Sequence, residues 1–266
     1  MQRLFRVLAI LASFCAVAAL ATSTARAART VSTAKLTFCS DVTYPPMESY
    51  QGTKAVGLDI DIGAALAKLL HTTPVFKNTT FDSIIPALLT KHCNAIISDM
   101  NDTAQRRKQV DFVDYFRTGQ SIMVKKGNPK HISTLADLSG KSISVESGTT
   151  NRDFLAAQSA KLVKAGKKAI SIKTFPKDTD AVAALKTGRV DAYFSDAPVV
   201  VYYVSKYKSF AIGGTPINPI PVGIAIRKHD PLKGKVQKAI NTLYSNGTMK
   251  KLVAKWGMSH AVVLLK

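Results

Sequence analysis

The residues of this chain that could hold a metal or attack a substrate are few and badly spaced for either task. His71, His92, His131, His229 and His260 are scattered without ligand spacing, and beyond the N-terminal segment only Cys39 and Cys93 remain of three cysteines. A metal site needs several such side chains converging. No serine or cysteine stands in an evident pairing with a histidine, as nucleophilic catalysis would require. No metal and no cofactor are expected. What the chain offers instead is charge at structured positions. Arg106 follows Thr103 in the first turn of a helix, and a guanidinium presents two parallel donors that match a carboxylate. Asp196 precedes Ala197-Pro198, a helix-start pattern. Ser147-Gly148-Thr149-Thr150 reads as a strand-to-helix turn with a threonine cap. Taken singly, these are also a surface arginine, a helix cap and a turn.

The elements that must position them alternate. Short strand-like runs at 35–40, 95–98, 122–125, 142–145, 169–173 and 192–195 are interleaved with helical stripes at 60–70, 84–89, 151–165 and 179–186, and a further helix opens at Thr103. Such alternation predicts an α/β fold with parallel sheets covered on both faces. Two βα series suggest two lobes, with extended crossovers near 117–126 and 219–227. A terminal helical run, 232–256, broken at Asn246-Gly247, returns to the first lobe. Open α/β lobes bind ligands beyond the carboxyl ends of their strands, so the cleft between them is the expected site.

Composition narrows the class. Of 266 residues 46% are hydrophobic and 20% charged, enough apolar content for a sizeable core and too much for a disordered chain. Lys and Arg number 37 against 17 acidic residues, a formal charge of +20. The basic residues occur in pairs and triplets such as Arg106-Arg107-Lys108 and Lys167-Lys168, never in a block of five or six. That is the pattern of scattered solvated faces, and no nucleic acid partner is expected. Residues 1–27 have the three-part form of a cleaved export signal: Arg3 and Arg6, the apolar run from Leu8 to Leu20, and Ala25-Arg26-Ala27. Cleavage would remove three arginines, leaving 34 basic against 17 acidic residues and a charge of +17. Cys39 sits late in one strand and Cys93 just before another, and no bridge between them is expected.

Across nearly the whole mature chain the motifs resemble the periplasmic solute-binding proteins of polar amino acid ABC importers, the family 3 extracellular solute-binding proteins. The matching pieces are Asp41-Val-Thr-Tyr-Pro-Pro-Met-Glu48, Gly57-Leu-Asp-Ile-Asp61, Phe81-Asp-Ser-Ile-Ile-Pro-Ala-Leu88, and Ala95-Ile-Ile-Ser-Asp-Met100 leading to Thr103-Ala-Gln-Arg106. They continue with Ser147-Gly-Thr-Thr150, Gly188-Arg-Val-Asp191 with Asp196, and Gly247-Thr-Met-Lys-Lys-Leu252 up to Trp256-Gly257. The resemblance implies a type II periplasmic-binding-protein fold: two Rossmann-like lobes joined by a two-segment hinge, with residues 34–118 and 222–266 in lobe 1 and 119–221 in lobe 2. It implies no catalysis, a free amino acid as ligand, an inner-membrane ABC permease as partner, a periplasmic location and a monomer.

A free amino acid carries an α-carboxylate and an α-ammonium, and taking both out of water is costly unless each meets a fixed opposite charge. By resemblance Arg106 clamps the carboxylate, Thr149 adds the second lobe's contribution, and Asp196 takes the ammonium with the carbonyl of Ser98. Tyr44 and Phe81 stand where the family has two aromatic walls, with Asp41 at the far end of the slot. Glu146 is aimed across the cleft toward Asp41. Two carboxylates around an aromatic slot favour a cationic side chain such as that of lysine, arginine or ornithine, with cation–π attraction of about 0.5–2 kcal/mol. The sequence departs from the family pattern at Asn94, Asp99, Asn101 and Gln105, and an extra carboxylate at Asp99 either joins the ammonium site or strains it. The same fold also resembles exported cyclohexadienyl or arogenate-type dehydratases, for which Glu146 would be the general acid.

Overall fold

Four parallel strands of this chain stop at, or within two residues of, the polar residues singled out above, and that placement organises the molecule. The computed structural model describes residues 34–265; the expected signal over 1–27 lies outside them. The strands are β1 (Lys35–Ser40), β2 (Thr43–Tyr44), β3 (Glu48–Gln51), β4 (Lys54–Val56), β5 (Thr73–Asn78), β6 (Ala95–Ile96), β7 (Val110–Lys125), β8 (Ser142–Glu146), β9 (Ser171–Phe175), β10 (Ala192–Asp196), β11 (Phe210–Ile212), β12 (Ile217–Arg227) and β13 (Val262–Leu264). The helices are α1 (Leu58–Leu69), α2 (Ile84–Leu89), α3 (Ala104–Arg107), α4 (Thr150–Lys164), α5 (Asp178–Lys186), α6 (Ala197–Lys206), α7 (Leu232–Ser245) and α8 (Thr248–Lys255).

The local reasons for these elements are plain. Helix α1 buries Leu58, Ile62 and Leu66, one face at four-residue spacing. Gly57 before it must be glycine: at φ +146° a Cβ would lie 2.0 Å from the Met47 carbonyl oxygen. Thr103 caps α3 by accepting from the Arg106 N–H, and Thr149 caps α4 by accepting from that of Arg152. The Asn246-Gly247 break separates α7 from α8, with Gly247 left-handed at φ +75°.

The sheet order is β5-β1-β6-β12-β7-β10-β8-β9, with β11 and β13 also on β7. Strands β5, β1 and β6 are mutually parallel on one side, as are β10, β8 and β9 on the other. Between them β7 and β12 pair antiparallel from Val110↔Arg227 to Gln120↔Ile217, with irregularities at Ile217/Ile220 and Val222/Gly223. Strand β7 then continues against β10, Gln120↔Asp196 to Val124↔Ala192. The α/β class and the two-lobed type II fold hold. The two parallel sets are nevertheless not separate sheets, because the expected crossovers are themselves strands that stitch the sets into one mixed sheet. Strand β7 begins at Val110 rather than near 117, and β9 lies two residues later than its apolar run suggested. The three-stranded meander β2-β3-β4 was not expected at all.

One expectation is overturned. Cys39 and Cys93 form a disulfide, with Cα atoms 5.7 Å apart. Their strand and pre-strand positions belong to neighbours: Cys39 is on β1, and Cys93 immediately precedes the segment that pairs parallel with it. The Asn94 N–H donates to the Thr37 carbonyl, while the Thr37 N–H donates to Asn94 Oδ1 at 2.8 Å, which holds the two segments side by side.

Candidate functional site

Asp41 follows β1, Ser98 and Asp99 follow β6, Glu146 ends β8 and Asp196 ends β10, so all five lie at the carboxyl ends of parallel strands, where open α/β sheets leave room for a ligand. Tyr44, Phe81, Ser98, Asp99, Asn101, Glu146, Thr149 and Asp196 together line a narrow cavity with room for little more than one water. Six of these are predicted site residues. The other two predicted residues, Arg106 and Asp41, are not among its lining; both contact Phe81, which is.

Arg106 is buried. Its Nη1 donates to the Asn101 carbonyl at 2.9 Å and its Nη2 to the Gly148 carbonyl at 3.2 Å, and the guanidinium stacks over the Phe81 ring, 5.2 Å from its centroid. Two of five donors are thereby used. Burial lowers its pKa to about 10, opposed by Asp196, Asp153 and Asp102, so it stays cationic. Both oxygens of Asp41 are engaged: Oδ1 accepts from the Thr43 N–H and hydroxyl at 3.2 and 2.7 Å, and Oδ2 from the Phe81 N–H at 2.8 Å. That is an Asx-type turn, which also pins the aromatic wall.

Asp196 occupies a helix N-cap position but makes no capping bond. Its Oδ2 accepts from the Tyr44 hydroxyl at 2.6 Å and from Asn151 Nδ2 at 3.1 Å, while Oδ1 has no partner. Burial raises its pKa to about 6, partly offset by Tyr44, Asn151 and the Arg106 charge. Glu146 is 3% exposed and its Oε1 is likewise unpartnered. Burial, then the like charges of Asp178 and Asp41, push its carboxyl well above the usual range. Thr149 gives its hydroxyl proton to the Glu146 carbonyl at 2.8 Å and accepts from Arg152, which leaves backbone N–H groups of the helix start as the donors this turn offers. Gly148 lies against Asp82: a Cβ there would sit 2.8 Å from Asp82 Cα.

Several buried carboxylates escaped the sequence analysis as site residues. Ser98 Oγ links Glu48 Oε1 at 2.7 Å to the Asp41 N–H at 2.9 Å, and Glu48 Oε2 has no partner. Asp59 accepts from the Asp99 N–H at 2.6 Å and from the Tyr115 hydroxyl. Asp178 accepts from the Tyr193 hydroxyl, and burial raises its pKa to about 8. Asp41, Glu48, Asp59, Asp99, Glu146, Asp178 and Asp196 are thus all buried here, and Arg106 is the one buried cation among the described residues. Uncompensated buried carboxylates are costly. A wider groove of about 470 Å³ beside Tyr202, Tyr207 and Lys186 has no buried charge in its lining and asks for nothing comparable.

The sequence pattern of the bacterial extracellular solute-binding proteins, family 3, matches residues 36–259. The chain belongs to that family. This family 3 protein is 32% identical to ABC transporter arginine-binding protein 1 of Escherichia coli strain K12, over 84% of this chain and 90% of the relative. It is 30% identical to the histidine-binding periplasmic protein of Salmonella typhimurium, over 89% and 93%. Among solved structures, an ancestral arginine-binding protein bound to arginine matches with TM-score 0.77 and 37% identity, covering 85% of this chain and 99% of that one. These relatives are binding proteins, not enzymes, and so is this family 3 chain. The dehydratase alternative finds no enzyme among them. One similar structure, 34% identical with TM-score 0.74 over 84% and 94% of the two chains, is of an ancestral amino acid-binding protein, a precursor of cyclohexadienyl dehydratase.

Proposed function

We propose that the chain is the exported substrate-binding component of an ABC importer and captures a cationic L-amino acid of the lysine, arginine or ornithine kind. The reading rests on one observation: unpartnered oxygens of Asp99, Glu146 and Asp196 face a single cavity, beside a lone buried guanidinium. An amino acid with a cationic side chain brings two positive groups and one carboxylate, and it answers both halves of that imbalance. Arg106 takes the carboxylate, Asp196 the ammonium, and Glu146, with the Asp41 charge behind it, the distal cation between Tyr44 and Phe81. Surface charge on the mature protein, +17 by formal count, repels such a ligand at long range. The carboxylates reverse that field locally.

The two lobes are residues 34–118 with 222–266, and residues 119–221. They close by hinge motion about β7 and β12, with the ligand completing the seam. Contacts of the closed form include Arg106 to the Gly148 carbonyl, the Tyr44 hydroxyl to Asp196, and the Asp178 N–H to Thr43 Oγ1 at 3.3 Å. The protein works as a periplasmic monomer that hands its ligand to an inner-membrane permease. Calorimetric titration of refolded, ligand-stripped protein with the polar amino acids tests this. Binding of L-arginine, L-lysine or L-ornithine at least ten-fold tighter than L-glutamine supports it, and preference for a neutral or acidic amino acid refutes it.

A further inference from the structure

Asp99 is held in an unusual way. Its backbone is left-handed, φ +41°, a conformation that is uncommon for a side-chain-bearing residue, and its N–H is tied to Asp59 Oδ2 at 2.6 Å. The side chain lines the cavity, is 3% exposed, and has no hydrogen-bond partner on either oxygen. The charged and titratable groups around it are Asp59 of α1, Glu48 of β3, Tyr44 of β2, Tyr115 of β7 and Asp196 of β10. Arg106 of α3 acts on Asp196. With Asp196 Oδ1, three unpartnered carboxylate oxygens therefore belong to residues lining the same cavity.

We propose that Asp99 contacts the ligand directly, forming with Asp196 a two-carboxylate seat for the α-ammonium, and that filling the seat expels a proton that one of the two carboxyls holds when it is empty. This rests on the amino acid reading above. An ammonium has three N–H donors and no acceptor, which suits three free oxygens. Two buried carboxylates that line one narrow cavity and repel each other are unfavourable when both are ionised and no cation is between them; the proton keeps the empty seat tolerable, and the arriving ammonium displaces it to the buffer. The seat selects ligands with a free primary α-amino group and rejects α-N-acylated ones. Because binding releases a proton, affinity rises with pH across the range in which that proton is bound in the empty protein. Burial, with Asp196 and Asp59 as like charges, raises Asp99 well above the ordinary carboxylate range, and Asp196 lies at about 6.

The test is calorimetric titration of the full protein with L-arginine at pH 6.5, in buffers of different ionisation enthalpy, for wild type, Asp99→Asn and Asp99→Gly. Both variants accept a left-handed backbone. The difference in protons released between wild type and variants is the readout, since other buried carboxyls also respond. The expected result is at least half a proton fewer released by each variant, about ten-fold or more loss of affinity at pH 7.5, and a higher melting temperature of ligand-free Asp99→Asn. Unchanged affinity and proton release in the variants overturns the role of Asp99, and so does lower melting with proton release unchanged, which marks a purely structural residue. If wild type binds no polar amino acid, the amino acid reading fails first and the seat with it, a result recognisable before any variant is measured.

Discussion

Replacing Glu146 by glutamine isolates the part of the site that chooses the side chain. The substitution keeps size and shape, removes one charge, and leaves Arg106 and Asp196 untouched. Glu146 is buried with Oε1 free toward the cavity, so a distal guanidinium reaching it makes a charge-assisted bond worth about 1.5–3 kcal/mol. At about 1.36 kcal/mol per factor of ten, L-arginine affinity is expected to fall roughly 10- to 160-fold. Binding is not abolished, because Asp41 keeps its charge beside the same position. A neutral side chain such as that of L-glutamine makes only a neutral bond there, which the new amide largely replaces, and its affinity should change less than about five-fold. Titration of the variant with both ligands gives the ratio. Equal losses for the two would show that Glu146 does not read ligand charge, and the case for a cationic side chain would fall with it.

Arg106→Ala should weaken every amino acid by about 30-fold or more whatever its side chain, since truncation strands a buried carboxylate; retained binding in the same titration would remove Arg106 as the clamp. Cys39→Ser with Cys93→Ser opens a 54-residue loop, and loop entropy puts the loss near 4 kcal/mol of unfolding free energy, measurable by urea titration against the oxidised protein. Stability of the ligand-free protein should fall as pH rises. Asp59 and Asp196 near 6 and Asp178 near 8 are raised above their unfolded values, so the folded state binds more protons than the unfolded state over about pH 4–8. That stabilisation is complete below the unfolded pKa and is lost as pH climbs through the folded values. Melting scans at pH 5 and pH 8 with and without L-arginine check this; the ligand's stabilising effect should be larger at pH 8.

Much of the fold was legible because its signals are local. Strand β1 announces itself as a six-residue run, and the α7–α8 break is written in Asn246-Gly247. The continuity of the sheet was hidden, because pairing of Val110 with Arg227 joins segments more than a hundred residues apart. The disulfide was missed for the same reason: what brings Cys93 to Cys39 is the partnership of β1 with β6, not spacing along the chain. At the site, Arg106, Tyr44, Phe81, Ser98, Glu146, Thr149 and Asp196 stood out through the motifs they sit in. Glu48 and Asp59 lie within family-like motifs but nothing there marks them as site residues, and Asp178 lies in no such motif. Asp59 and Asp178 lie in first turns of helices, where an acidic residue is ordinary, and Glu48 opens a short strand. Only tertiary packing turns these three into buried neighbours of the cavity.

Gly148 has a mechanical consequence. Its missing side chain lets the turn before α4 rest directly on the backbone at Asp82, across from the aromatic wall. If the lobes close as proposed, a larger residue at 148 would strain a backbone at φ +73°, act as a shim of about one methyl's thickness between them, and disturb the carbonyl that holds Arg106. On that reading, tightness of grip is set partly by an atom that is not there.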